Sequence, residues 1–301
     1  MNRLTNHWAL VLAGGDGTRL QELTRLIAGT PIPKQYCRIV GERSLLESTL
    51  DRIRPLAPNE RTLAIVTRNH LSLARPQLAT LPADNVLVQP SNRDTGPGLL
   101  FALLAIAARD PEACVAVFPS DHYVADDERF RAAVRRARRV VEQRIGALAL
   151  VGIRPDHVDT GMGYIEAGGS IAAATGAYRV ARFHEKPGTD TARALVASGA
   201  LWNAFVMAFR VRDVLALVAT HRPQDFTAMT AVRNAAPGVL RYDTLPTWNF
   251  SSDFLRHITE HLVVVEAADT GWSDWGTRDA IERTLSRLGR APQWGARAAA
   301  A

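Results

Sequence analysis

Short, uninterrupted apolar runs recur through the first half of the chain, each bounded by loop residues and each alternating with a segment of helical period. Trp8 to Ala13, Leu63 to Val66, Val86 to Val88, Cys114 to Phe118 and Ala147 to Gly152 are the runs, and Leu71 to Leu78, Gly98 to Ala108 and Glu128 to Val141 are helical segments between them. Strands that are apolar at every position, not at every second one, must be covered on both faces, which predicts a doubly wound α/β sheet of mainly parallel strands. Ligands of such sheets gather beyond the carboxyl ends of the strands. At 301 residues and 47% hydrophobic composition the chain has the material for a large core, and bulk disorder is excluded.

The loop leaving the first run is Leu12-Ala13-Gly14-Gly15-Asp16-Gly17-Thr18-Arg19-Leu20. Three glycines, a threonine and an arginine suit a place where backbone N–H groups close on phosphate oxygens, because a Cβ would hold them away. It is neither a P-loop nor a dinucleotide fingerprint: Leu20 and Gln21 occupy the Lys-Ser/Thr positions of the first, and Leu20 the third glycine of the second. A purely structural glycine turn has the same appearance, so the loop alone leaves both readings open.

Other segments fall into place around this frame. Leu20, Leu23, Leu26 and Ile27 predict a short helix ended by Gly29, Pro31 and Pro33, and Ser44 with Glu47 forms a capping box for a helix to about Ile53. Beyond Arg154 the texture changes. Gly161 to Glu166 and Tyr178 to Phe183 read as a hairpin, followed by helices at Thr189 to Ser198, Arg212 to Ala219 and Ser252 to Glu260 and strands at Leu201 to Phe209 and Leu262 to Val265. No linker divides the chain. The expectation is one domain over residues 1–290, in one half to about 153 and another from about 154, which the resemblance given below makes a nucleotide-binding and a sugar-phosphate-binding half, with a flexible tail at 291–301.

Composition limits the partners. A formal net charge of +6 from 36 basic and 30 acidic residues suits anionic small molecules, while the aromatic interleaving of a single-strand binder is missing, so nucleic acid is not expected. No apolar run approaches the roughly 18 residues of a membrane span and no leader-like segment precedes Trp8, so a cytoplasmic protein is expected. Cys37 and Cys114 read as reduced thiols.

Asp121 ends the Cys114 run and Asp274 lies in Gly271-Trp272-Ser273-Asp274-Trp275-Gly276. Each is a carboxylate in a loop after a strand; together they could hold a hard cation such as Mg²⁺, or cap turns separately. Lys34 and Lys186 are the only lysines in an arginine-rich chain, and a compact ammonium approaches phosphate as a point charge; Glu185-Lys186-Pro187-Gly188 equally reads as a turn. Gln89 to Gly98 is a polar loop whose amides could meet a base edge, and Asn203 could bond a sugar hydroxyl or cap a turn. His122, His157 and His184 show no metal-ligand spacing.

Taken in order, the glycine loop, Pro33-Lys34-Gln35, Pro119-Ser120-Asp121-His122, Phe183-His184-Glu185-Lys186-Pro187, Trp202-Asn203 and Gly271-Trp272-Ser273-Asp274 resemble the motifs of the sugar-nucleotide pyrophosphorylases, over roughly residues 8 to 287. They are most similar to the branch that joins GTP and mannose 1-phosphate. The resemblance implies a Rossmann-like, GT-A-like nucleotidyltransferase fold with a sugar-binding extension in its second half, and transfer of a nucleotidyl group from NTP to a hexose 1-phosphate. It implies that Ala13, Gly14, Gly15, Gly17 and Thr18 hold the nucleotide, with Gln89 and Asn92 near the base. Arg19 and Lys34 would neutralise phosphates, and Asp121 and Asp274 would hold Mg²⁺. Gly163, Glu185 and Asn203 would meet the sugar and Lys186 its phosphate. A homodimer is a candidate assembly, and without an isomerase-type segment a single activity is expected. A non-catalytic sugar-nucleotide-binding regulator and another NTP and hexose pair are the alternatives. Two departures stand out: the stretch Ile27 to Ile32 before Pro33-Lys34 is longer than the family's, and Ala204-Phe205 replaces Ser-Gly after Trp202-Asn203, which puts the shape of the sugar pocket in question.

Overall fold

The computed structural model describes residues 6–172, 174–235, 241–292 and 294. Strands β1 (His7–Ala13), β2 (Thr62–Thr67), β3 (Val86–Gln89), β4 (Cys114–Pro119) and β5 (Leu148–Ile153) alternate with helices α1 (Gln21–Ala28), α2 (Leu45–Ile53), α3 (Leu71–Gln77), α4 (Thr95–Arg109) and α5 (Asp127–Glu142). They are followed by β6 (Gly163–Ser170), β7 (Ala177–Glu185), α6 (Thr189–Ala197), β8 (Leu201–Arg210), α7 (Val211–His221), α8 (Pro223–Asn234), β9 (Leu262–Glu266) and α9 (Arg278–Arg287). Among the described residues the strands form one sheet of nine in the order β3-β2-β1-β4-β8-β5-β9-β7-β6, with β8 also pairing β6. The α/β class and mixed sheet are those expected, and the same sheet carries both halves of the chain.

β1 pairs in parallel with β2 and β4, β2 with β3, and β5 with β9, while β8 runs antiparallel between β4 and β5. Strands β1 to β5 and β9 therefore point the same way and end at one edge. The continuous apolar runs divide between two cores by alternation along each strand. Ala9, Val11 and Ala13 of β1 pack with Leu46, Leu50, Phe130 and Val134 on one face. Trp8 and Leu10 pack with Leu99, Leu103, Val214 and Phe254 on the other. A third cluster joins Leu20, Leu23, Ile39, Leu45, Trp275, Ile281, Leu285 and Trp294, clamping α9 and the loop before it onto the segment that follows the glycine loop.

Local chemistry sets several boundaries. Ser44 and Glu47 form the reciprocal capping box, with Glu47 N–H to Ser44 Oγ at 3.0 Å and Ser44 N–H to Glu47 Oε2 at 2.8 Å. The long stretch before Lys34 folds back on itself: α1 ends at Gly29 with φ 79°, and the Thr24 hydroxyl donates to Ile32 O at 2.8 Å. Two expectations fail. Ser252 to Glu260 is not a helix: it holds the 3-10 turn Leu255–His257 and the start of a second, Thr259–His261, and before them Asn249 Oδ1 accepts from the Ser251 and Ser252 N–H groups and Asp253 Oδ2 from Asn249 N–H, local bonds that compete with a helix. Helix α8 was not expected, because its apolar residues follow no clean stripe; Pro223 at its first turn is its start signal. Most of the expected 291–301 tail lies outside the described residues, and Trp294 is buried in the third cluster. Among the described residues no helix is long and apolar enough to cross a membrane.

The loop at 247–250 is tied to the start of α4, with Gly96 N–H donating to Trp248 O at 3.0 Å and Phe250 N–H to Thr95 Oγ1 at 2.9 Å. A Cβ on Gly96 would lie 2.1 Å from the Trp248 ring. Gly96→Ala is expected to destabilise the fold by about 1–3 kcal/mol through overpacking, read as a lowered Tm in thermal unfolding.

Candidate functional site

The ends of β1, β3 and β4, the loop after β9 and the β6–β7–β8 corner meet along one edge of the sheet. Beside β1 and β3 lies a cleft of about 440 Å³ lined by Gly14, Gly15, Asp16, Gln89, Asn92, Asp94, Thr95 and Thr247 among others. The glycine loop is hung from its carbonyls. Tyr36 Oη donates to Ala13 O at 2.7 Å, Thr67 Oγ1 to Gly14 O at 2.7 Å and Gln35 Nε2 to Gly15 O at 2.7 Å. The amides of Gly15, Asp16, Gly17 and Thr18 have no acceptor among the described residues. A run of amides without acceptors is an arrangement that could receive an anion.

Each glycine of the loop answers a different constraint. A Cβ on Gly14 would meet Gln89 Nε2 at 2.4 Å, and Gly17 has φ 60° with Pro33 Cα 2.9 Å from its would-be Cβ. At Gly15 nothing of the protein lies within 4 Å of that position, so neither packing nor backbone conformation requires glycine there. It leaves room in front of the loop.

Gln89 is buried on the cleft floor, where its Nε2 donates to Thr67 Oγ1 at 3.0 Å and its Oε1 accepts from Tyr242 Oη at 3.0 Å. Asn92 is exposed and donates to Asp16 Oδ2 at 2.8 Å. Asp94 and Thr247, not singled out from sequence, line the same cleft. Asp94 has φ 68° and caps α4 by accepting from Thr95 N–H at 2.6 Å. Its only sequence signal is the place just before the helix.

Asp121 and Asp274 are drawn together by a two-residue antiparallel bridge: Tyr123 N–H donates to Ser273 O at 2.9 Å and Ser273 N–H to Tyr123 O at 3.0 Å. Lys34 fastens the same place. It is 7% exposed, its Nζ lies 3.2 Å from Asp121 Oδ2, and it donates to Trp275 O at 3.1 Å and, by a shorter bond, to Asp274 O. Three partners account for the three N–H bonds of the ammonium. Lys34, expected to neutralise phosphate, is turned inward in this structure, where Asp121 and two loop carbonyls complete its shell. Arg19, by contrast, is exposed and its Nη1 lies beside Gly276 and the Asp274 carboxylate.

Burial disfavours the charged form of Asp121, but Lys34 and His122 outweigh it and hold its carboxyl below the usual range. Burial also pushes His122 down to about 4, against the pull of Asp121, so the ring is neutral at pH 7. Its Nδ1 accepts from Trp272 Nε1 at 3.2 Å, which leaves the proton on Nε2, 3.7 Å from Asp121 Oδ1. His122, to which the sequence assigned no chemistry, thus stands beside the Asp121 carboxylate while its hydrogen bond goes to Trp272. Among the described residues Asp121 and Asp274 do not belong to a group of three His, Cys, Asp or Glu side chains whose ligand atoms all lie within 4.8 Å of one another. Carboxylate oxygens are the hard donors that Mg²⁺ prefers, and phosphate and water oxygens could complete its shell.

At the other end of the edge, Gly163, Glu185 and Asn203 converge. Gly163 pairs with Glu185 across β6 and β7, and a Cβ on Gly163 would lie 2.9 Å from Glu185 Oε2 and 3.4 Å from Asn203 Cβ. Lys186, with φ 46°, is largely exposed, its Nζ 3.7 Å from Glu185 Oε1. Burial raises the Glu185 carboxyl above its ordinary value and Asp94 adds to the rise, against Lys186. Asp94 belongs to the first cleft, so the two ends face each other electrostatically.

The matching family model is Nucleotidyl transferase, over residues 8–289, and the chain belongs to this family. A crystal structure of a mannose-1-phosphate geranyltransferase from Thermus thermophilus is 32% identical, with a TM-score of 0.82 over 94% of this chain and 80% of that one. Among curated relatives, mannose-1-phosphate guanylyltransferase ManC of Salmonella typhimurium is 34% identical over 93% of this chain and 59% of its own length. The xanthan biosynthesis protein XanB of Xanthomonas campestris is 33% identical over 90% of this chain and 58% of its own. The chain thus spans about 59% of the length of the curated relatives it matches.

A carboxyl whose folded pKa is raised binds its proton more tightly in the folded state, so stability falls as pH rises between the unfolded and folded values. Glu185→Gln is expected to raise Tm relative to the parent protein at pH 7–8. The difference should vanish below about pH 4, where both states hold the proton; thermal unfolding across this range checks it.

Proposed function

We propose that the chain transfers a guanylyl group from GTP to mannose 1-phosphate, giving GDP-mannose and pyrophosphate, with Mg²⁺. The observation that carries this is the placement, along one sheet edge, of the acceptor-free amides of the glycine loop, the Asp121–Lys34–Asp274 cluster and the Gly163–Glu185–Asn203 corner. The curated relatives named mannose-1-phosphate guanylyltransferase supply the choice of base and sugar.

The chemistry asked of such a site is modest. A phosphate oxygen of the hexose 1-phosphate attacks the α-phosphorus of the nucleotide, a new P–O bond forms, the α–β bridging bond breaks, and pyrophosphate takes the electron pair. Attack of one anion on another needs alignment and neutralisation more than a proton-abstracting base. The amides of Gly15 to Thr18 bind the nucleotide's phosphate oxygens, and Arg19, the exposed cation beside Asp274, offsets the charge that builds on the leaving group. Gln89 and Asn92 flank the base. Glu185 accepts from a sugar hydroxyl while Lys186, free to swing, reaches the sugar's phosphate. Lys34 acts from behind, holding Asp121 ionised and fixing the loop that carries Asp274. Asp121 and Asp274 would hold Mg²⁺, which when bound supplies Lewis-acid charge neutralisation at the phosphates.

Pyrophosphate release measured over a grid of NTPs and hexose 1-phosphates, with and without Mg²⁺, tests the proposal. GTP with mannose 1-phosphate is expected to give the highest kcat/KM; preference for UTP or dTTP would overturn the guanylyl reading, and silence across the grid would favour a non-catalytic binder. Asp121→Asn and Asp274→Asn are each expected to lower Mg²⁺-dependent turnover by at least about 100-fold. The amide is preferred to alanine at Asp121, since its oxygen can still accept from the buried Lys34 ammonium, which alanine would leave with an unpaired donor.

Gly15→Ala separates phosphate binding from folding. Because no protein atom lies near the added methyl group, Tm is expected to stay within about 1–2 °C of the parent value, with KM for the NTP raised roughly tenfold. Titration of the folded variant with GTP checks this.

A further inference from the structure

The alternation that divides the two cores also carries a group of side chains to the opposite edge of the sheet. Ala9, Val11 and Ala13 of β1 and Ala116 and Phe118 of β4 face the core under α5, so His7 and Cys114, two residues further back on each strand, point the same way. They are direct partners in the β1–β4 register. Glu142 is the last residue of α5, whose Phe130, Val134 and Val141 lie over that face. Three elements thus bring an imidazole, a thiol and a carboxylate to the amino ends of β1 and β4, away from the glycine loop and Asp121.

Among the described residues this is the one group of three His, Cys, Asp or Glu side chains whose ligand atoms all lie within 4.8 Å of one another. His7 is 8% and Cys114 2% exposed, while Glu142 reaches solvent. His7 Nε2 lies 2.6 Å from Glu142 Oε1, and His7 Nδ1 is buried without a partner. The imidazole is therefore under-used, which is uncommon for a polar group inside a protein.

The charges nearby restrict what could bind. Burial pushes the Cys114 thiol up to about 11, although Arg138 works against it, so the free thiol keeps its proton at pH 7. Displacing that proton takes an ion with strong affinity for sulfur, Zn²⁺ and not the oxygen-seeking Mg²⁺. Arg138, Arg61 and Arg210 put positive charge around the group and would repel a bare dication. With one thiolate and one carboxylate, a dication becomes a neutral unit.

We propose that His7, Cys114 and Glu142 form a metal site of the Zn²⁺ class, separate from the candidate Mg²⁺ site, that fastens the end of α5 to the amino ends of β1 and β4. On binding, the His7–Glu142 hydrogen bond opens and the ring keeps its proton on the nitrogen that does not meet the metal. The Cys114 S–H bond breaks, its proton leaves to solvent, and bonds from the metal to nitrogen, sulfur and oxygen form. Ligand bonds of about 2.0–2.3 Å put the ligand atoms of a tetrahedron about 3.3–3.7 Å apart, a geometry that Glu142, at a helix end and open to solvent, can adjust to. Water completes the tetrahedron from the exposed side. None of this depends on the proposed transfer reaction.

The test uses chelator-treated protein without a polyhistidine tag, and Co²⁺ as a spectroscopic stand-in for Zn²⁺. The parent is expected to bind one Co²⁺ with a thiolate-to-cobalt charge-transfer band in the near ultraviolet, lost on adding Zn²⁺ and kept in excess Mg²⁺, and to gain Tm in Zn²⁺. Cys114→Ala is expected to abolish the band, and Cys37→Ala, which removes the other thiol, to keep it. Glu142→Gln, a change at an exposed position, is expected to weaken Zn²⁺ binding at least about tenfold, and Asp121→Asn to leave that binding unchanged. A parent without the band, a band that survives in Cys114→Ala or is lost from folded Cys37→Ala, or Glu142→Gln with the parent's Zn²⁺ affinity would overturn the inference. Loss of Zn²⁺ binding in folded Asp121→Asn would overturn it too, by placing the ion at the other site.

Discussion

A buried ammonium cannot stay charged without partners, and the partners Lys34 takes decide the shape of the site. Its three donors go to the Asp121 carboxylate and to the carbonyls of residues 274 and 275, so one side chain ties the segment after the glycine loop to the end of β4 and to the loop after β9. Those three pieces are separated by most of the chain. Desolvating the cation would cost several kcal/mol unpaired, which makes the wrong arrangement expensive more than it makes the right one strong. The third core cluster acts in the same sense, since Trp275 stacks on Tyr123 at 4.7 Å and its Nε1 donates to Thr284 Oγ1 at 3.1 Å. Apolar burial and the buried ion pair thus hold the Asp274 loop from opposite sides.

The same division of labour runs through the glycine loop. Its carbonyls are bound by Tyr36, Thr67 and Gln35, so the peptide planes are fixed before any ligand arrives. Amides oriented in advance cost no reorganisation when charge develops in front of them. Strain is concentrated nearby: Asp94, Lys186, Phe205 and Trp275, each at or next to a residue of the site, all have positive φ without being glycine. Side chains at such positions are kept at an energetic cost, and the compensating contacts found at Asp94 and Phe205 are to other parts of the site.

The sheet was legible because continuous apolar strands leave a parallel, two-sided sheet as their main solution, and Ser44 with Glu47 and the glycine loop carry their geometry in their residue types. The strand β8 was legible as a strand but its place between β4 and β5 was not, since nothing in Leu201 to Phe209 records which neighbours it pairs with. Pairing Asp121 with Asp274 rested on the resemblance and on their positions after strands; the Tyr123–Ser273 bridge that joins them is made of backbone atoms and leaves no trace in composition. Lys34 stands out in the sequence for its rarity, but rarity does not say which way a side chain points. His122 and Asp94 escaped notice because their signal is a partner remote in sequence, Trp272 for one and Asn249 for the other.

Phe205 shows what neither level gives alone. As a residue type it reads as an ordinary apolar strand member, and as a backbone angle it reads as a defect. Together with Asn203 it becomes a constraint on that amide, since the Phe205 N–H, on a residue in the left-handed region, donates to Asn203 Oδ1. A regular strand would have aimed the N–H at β5 and left the amide free to flip between donor and acceptor. The bulge of β8 at this point therefore trades ladder hydrogen bonding for a local bond to the Asn203 amide, and the half-buried ring against Phe250 recovers part of that cost in apolar contact.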